Sequence, residues 1–167
     1  MRIRDARLGD AGGIAAIYND AVENTTAVWN ETTVDASNRA AWIASHQEDG
    51  RPVLVAVDAA EEVLGYATYG DWRAWEGYRH TVEHSVYVSG DHRGAGIGEA
   101  LMTALIRRAR NAHVHVMVAG IEAGNSASIH LHEKLGFARV GLLEQVGWKF
   151  GRWLDLAFLQ LILDAEH

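Results

Sequence analysis

The chain has 167 residues, 49% of them hydrophobic, which suits a single domain over 1–167 with a substantial core and argues against disorder. A formal net charge of −7 with no long Lys/Arg cluster argues against nucleic acid as a partner, and the lack of cysteine excludes disulfides, thiolate metal sites and a cysteine nucleophile. The opening MRIRDARLGD lacks the apolar stretch of a secretory signal, and no apolar run nears the roughly 18 residues of a membrane span, so a soluble cytoplasmic protein without a membrane partner is expected.

In chain order, Arg2 to Arg7 alternates and suits a strand. Ile14, Ile17, Tyr18, Ala21 and Val22 recur at helical spacing, with Asp10 as the expected N-cap. Thr25 to Val34 reads as a loop, and Asp35 as the cap of a second helix. PVLVAVDAAEEVLGYATYG is two apolar runs split by a polar turn at Asp58 to Glu62, a hairpin signature. An aromatic, arginine-bearing loop follows from Asp71 to Tyr78, then a strand, TVEHSVYV, from Thr81 to Val88. GAGIGEALMTALIRRARNA is predicted helical, with Ile97, Leu101, Ala104, Leu105 and Arg108 on one side. HVHVMVAGI is predicted to be a strand. NSASIHLHEKLGF is predicted to be a helix capped by Asn125 and stopped at Gly136, and the remainder supplies two strands. The order β α α β β β α β α β β implies an α/β (α+β) layer: a mixed sheet of about seven strands flanked by about four helices.

The glycine turn between the Thr81–Val88 strand and the following helix is the strongest chemical signal. Glycines before a helix expose its unpaired first-turn N–H groups and the positive end of its dipole, an arrangement that binds anions. A dinucleotide loop would require glycine where Glu99 stands, and a phosphate loop would require a Gly-Lys-Ser/Thr that does not occur. What remains is Arg93-Gly94-Ala95-Gly96-Ile97-Gly98, read either as an anion cradle or as a tight corner.

This segment and NSASIHLHEKLGF together resemble the GNAT superfamily of N-acetyltransferases. The family's acyl-CoA motif, Arg/Gln-x-x-Gly-x-Gly/Ala, is matched by Arg93, Gly96 and Gly98; its later motif is matched by Asn125, Lys134, Gly136 and Phe137. GYRHTVEHSVYV and the Thr-Thr and aromatic of NTTAVW look like the phosphinothricin and methionine-sulfoximine N-acetyltransferase group. The resemblance implies the GNAT acyl-CoA N-acyltransferase fold and transfer of acetyl from acetyl-CoA, the co-substrate, to the α-amine of a small amino-acid-like acceptor, in a homodimer. The alternatives in other classes are a non-catalytic acyl-CoA-binding module and an acetyltransferase of proteins or peptides.

Under this resemblance Glu83 is the candidate general base. Apolar strand neighbours raise a carboxyl's pKa toward neutrality, where a base is useful; the bland alternative is a solvated strand glutamate. The backbone of Val86, Tyr87 and Val88 is the implied oxyanion and pantetheine contact. Arg93, Gly94, Ala95, Gly96, Ile97 and Gly98 would cradle the pyrophosphate, Asn125 would bond the pantetheine, and Lys134 would reach the CoA phosphates. The family's usual tyrosine falls on His132, which either protonates the leaving thiolate or packs beside the cofactor. The candidate acceptor residues are Trp29 with Arg73, Trp75, Glu76, Tyr78 and Arg79 of the aromatic loop, because arginine grips carboxylates and phosphinates while aromatic walls exclude water. The same loop also suits dimer packing. His113 and His115 would share a strand face and His130 and His132 would diverge on a helix; with no carboxylate cluster beside them, no metal is expected.

Overall fold

The computed structural model describes residues 1–163. Its elements run β1 (Arg2–Asp5), α1 (Ala11–Asn24), α2 (Ala36–Glu48), β2 (Val53–Val57), β3 (Val63–Asp71), β4 (Thr81–Val88), α3 (Ile97–Asn111), β5 (Val116–Glu122), α4 (Ser126–Lys134), β6 (Ala138–Lys149) and β7 (Arg152–Ile162). That is the predicted order, and the class is the predicted mixed α/β. The seven strands form one sheet in the order β1-β2-β3-β4-β5-β7-β6, in which only β4 and β5 run parallel. Among the described residues no helix is long and apolar enough to cross a membrane.

The sheet is covered on both faces, which explains the unbroken apolar run of β2. Leu54 and Ala56 enter the core beneath α3 and α4, whereas Val53, Val55 and Val57 enter the core beneath α1 and α2. Helix α3 lays Ile97, Leu101, Met102, Leu105 and Ile106 on the first of these faces. Each such side chain stabilises the fold by about 1.5–3 kcal/mol when fully buried. Arg108, expected on the same stripe, instead turns outward and pairs with Asp5.

Three local readings change. Asp10 stands at the N-cap of α1, but its carboxylate does not cap the helix: it accepts from the Arg7 N–H at 2.7 Å and from the Arg4 guanidinium at 2.8 and 3.0 Å. Burial pushes its carboxyl up, yet these donors outweigh burial and hold it below the usual carboxylate range. Helix α3 begins at Ile97, later than predicted, because Gly94 and Gly96 take φ of +83° and +79°. His113 sits at φ +60° in the turn before β5, so it and His115 share no strand face. Asp35 and Asn125 do cap α2 and α4, accepting from the N–H of Asn38 and Ser128.

Two features position the site. The first is the short β4–β5 ladder, which pairs Thr81 with Val116, Val82 with Met117 and Glu83 with Val118. Beyond Glu83 the two strands diverge. β4 stays paired to β3 as far as Val88, and β5 stays paired to β7 as far as Glu122, so the facing edges of both are left open. The second feature is the long β6–β7 hairpin. It is broken by a bulge between Leu143 and Gly147, where Gln145 takes φ +58° and its N–H donates to Asp155 at 2.8 Å.

Candidate active site

The opening between β4 and β5 holds a small inner pocket of about 80 Å³, walled by His84 to Tyr87, by Ala119 to Glu122, and by Asn125, Ser128 and His132. It shares Ala27, Val86, Tyr87, Asn125 and Ser128 with a larger cleft of about 610 Å³. The larger cleft lies against the glycine turn and the start of α3. Of the residues singled out from sequence, Val86, Tyr87, Val88, Arg93, Gly94, Gly96, Ile97, Gly98 and Asn125 line it. Ala95 and Lys134 do not. Lys134 donates at 2.8 Å to Glu99, which does line the cleft, so its ammonium sits at the rim. Arg93 is half exposed and only 3.4 Å from Asp20.

Unlike α2 and α4, helix α3 has no side chain capping its first-turn N–H groups. These donors and the helix dipole face the end of the cleft where an anion would rest.

Glu83 shares a face of β4 with Ser85 and Tyr87. A Cβ placed on Gly120 of β5 would lie 3.4 Å from Glu83 Oε2, 3.5 Å from Leu156 and 3.7 Å from Phe158, so the carboxylate and an apolar wall converge there. Glu83 is exposed and lines neither cavity itself, touching the inner pocket through Gly120, yet it is packed closely enough that burial raises its pKa above the usual carboxylate range, with the Arg73 charge opposing. Arg73 lies over the Trp72 ring at 4.0 Å, and Trp72 meets Phe158 edge-on at 5.5 Å.

None of the acceptor candidates lines either cavity; Arg73 reaches the site only through its charge on Glu83. Trp75, Glu76, Tyr78 and Arg79 form an exposed turn in which Arg79 donates to the Glu76 carbonyl at 2.9 Å. Trp29 donates to the Thr26 carbonyl at 2.8 Å and packs its ring on Gly147.

His132 is 2% exposed. Its Nδ1 is 2.7 Å from the Ser128 carbonyl, and its Nε2 is 2.8 Å from His84 Nε2. A carbonyl only accepts, so His132 carries its proton on Nδ1 and accepts from His84 at Nε2. His84 Nδ1 is buried, and the Val118 backbone beside His84 opposes only part of the effect of burial. Burial, with the neighbouring His132 imidazole, pulls His84 down to about 3; burial also lowers His132. Phe137 closes this cluster, its ring 5.5 Å from His84 and 5.1 Å from His132.

Sequence reasoning missed His84, Glu122, Ser128, the Phe158 ring that Trp72 packs on, and the Thr25–Ala27 segment of the cleft. Alternation along TVEHSVYV does place His84 opposite Glu83, but nothing local shows that it meets His132.

A model of the acetyltransferase (GNAT) family matches residues 14–137. An L-methionine sulfoximine/L-methionine sulfone acetyltransferase of Pseudomonas aeruginosa is 64% identical over 165 residues, covering 99% of this chain and 96% of that protein. A phosphinothricin N-acetyltransferase of Alcaligenes faecalis is 37% identical over 164 residues, covering 98% and 83%. A Salmonella typhimurium acetyltransferase structure solved with acetyl-CoA superposes with a TM-score of 0.95 at 53% identity, covering 99% of this chain and 95% of that one. The chain belongs to the GNAT family of acetyltransferases.

Proposed function

We propose that the protein acetylates the α-amine of a small amino-acid-like acceptor of the methionine sulfoximine, methionine sulfone or phosphinothricin type, with acetyl-CoA as co-substrate. The observation that carries this reading is Glu83, a carboxylate of raised pKa under the Arg73 charge, set against Gly120 of the inner pocket, which shares walls with a cleft that ends on an uncapped helix N-terminus. Acetyl-CoA supplies the activated acetyl group. The α3 N–H groups and Arg93 suit its phosphates, and Asn125 and the open edge of Val86 to Val88 suit the amides of its arm. Arg73 holds the acceptor's carboxylate against Trp72, and Glu83 takes the proton from its ammonium, directly or through water. The engagement of both His132 nitrogens supports a wall beside the leaving sulfur rather than a proton donor.

The homodimer is part of the same proposal. Val140, Leu142, Val146, Trp148 and Trp153 are each at least half exposed on the β6–β7 hairpin, an apolar surface suited to a second copy. Sedimentation of wild type and Trp153→Glu tests it: a monomer in both excludes this interface.

Free-thiol release from acetyl-CoA with methionine sulfoximine, methionine sulfone, phosphinothricin and ordinary amino acids tests the activity. No release above background with any of them refutes the small-acceptor reading.

A further inference from the structure

Lys149, the last residue of β6, is 1% exposed, although it takes no part in the chemistry described above. Its ammonium donates to the carbonyls of Ala21 at 3.4 Å, Thr25 at 2.7 Å and Val28. Three donors thus meet three acceptors at the C-terminal end of α1, where the helix dipole favours a cation. Burying an ammonium is costly unless such bonds are made. The chain leaving that helix end is Thr25 to Ala27, a wall of the larger cleft, and Ala27 also reaches the inner pocket. The same hairpin reaches the segment a second time through Trp29, which donates to the Thr26 carbonyl at 2.8 Å and whose ring would lie 2.4 Å from a Cβ on Gly147.

We propose that Lys149 is a positioning residue for acetyl transfer, fixing the Thr25–Ala27 wall of the cleft from the β6–β7 hairpin. The inference rests on the cleft being the acetyl-CoA site. Lys149→Met keeps the length of the side chain and removes its donors. The expected result is a rise of about tenfold in the KM for acetyl-CoA and in the Kd for CoA measured by calorimetry, with kcat held within about threefold. A merely structural role would lower the active fraction, and so kcat, and leave KM and Kd unchanged; that result overturns the proposal. Should Lys149→Met fail to fold, Lys149→Gln, which keeps a shorter donor in place of the ammonium, is judged by the same two constants. Gly96→Ala in parallel separates the failures: if it binds CoA as wild type does the cleft reading falls, whereas if it binds weakly while Lys149→Met binds normally only the positioning role falls.

Discussion

Acidification should destabilise this protein through His84, and the size of the effect follows from its burial. The folded-state pKa is about 3 against an ordinary 6.5. Above pH 6.5 neither the folded nor the unfolded chain protonates this ring. As pH falls below 6.5 the unfolded chain takes up a proton that the folded chain refuses, so stability is lost progressively down to about pH 3. At about pH 5.5 one such group costs roughly 1–2 kcal/mol. The assay is urea unfolding of wild type and His84→Phe at about pH 7.5 and about pH 5.5, at one protein concentration. The substitution leaves His132 Nε2 without its donor, at a cost of about 1–3 kcal/mol at both pH values. Carboxylates titrate alike in the two chains, so the difference reports the His84–His132 pair. Wild type should lose roughly 1–2 kcal/mol more than the variant between the two pH values. An equal or larger loss in His84→Phe would refute the reasoning.

Glu83→Gln should lower kcat/KM by about 10²- to 10⁴-fold at neutral pH while CoA affinity holds, measured by thiol release and calorimetry. Because burial raises the Glu83 pKa, the acid limb of the wild-type kcat/KM profile should lie above the usual carboxylate range. Arg73→Ala should raise the acceptor KM and, by removing the opposing charge, move that limb to higher pH still. Gly96→Ala forces a side chain to φ +79° and should cost about 1 kcal/mol in urea unfolding and weaken CoA binding.

Much of the fold was legible because its signals are local. Apolar alternation and helical spacing, the caps Asp35 and Asn125, and the stop at Gly136 act within one or two turns of chain. Asp10 misled because Arg4, on β1, competes for the carboxylate that a cap would use. The acceptor loop misled because its aromatic composition suits a pocket and a surface equally: Trp72 packs on Phe158 and holds Arg73 over its ring, whereas Trp75 and Tyr78 stay exposed.

The sequence by itself determined the order of the elements, the glycine turn and the placement of Glu83 on β4. Tertiary structure alone decided that β4 and β5 part after Glu83 and Val118, that His84 meets His132, and that Lys149 reaches the end of α1. These contacts join residues 35, 48 and 124 positions apart, and no local propensity encodes which distant backbone edge or carbonyl a side chain will meet.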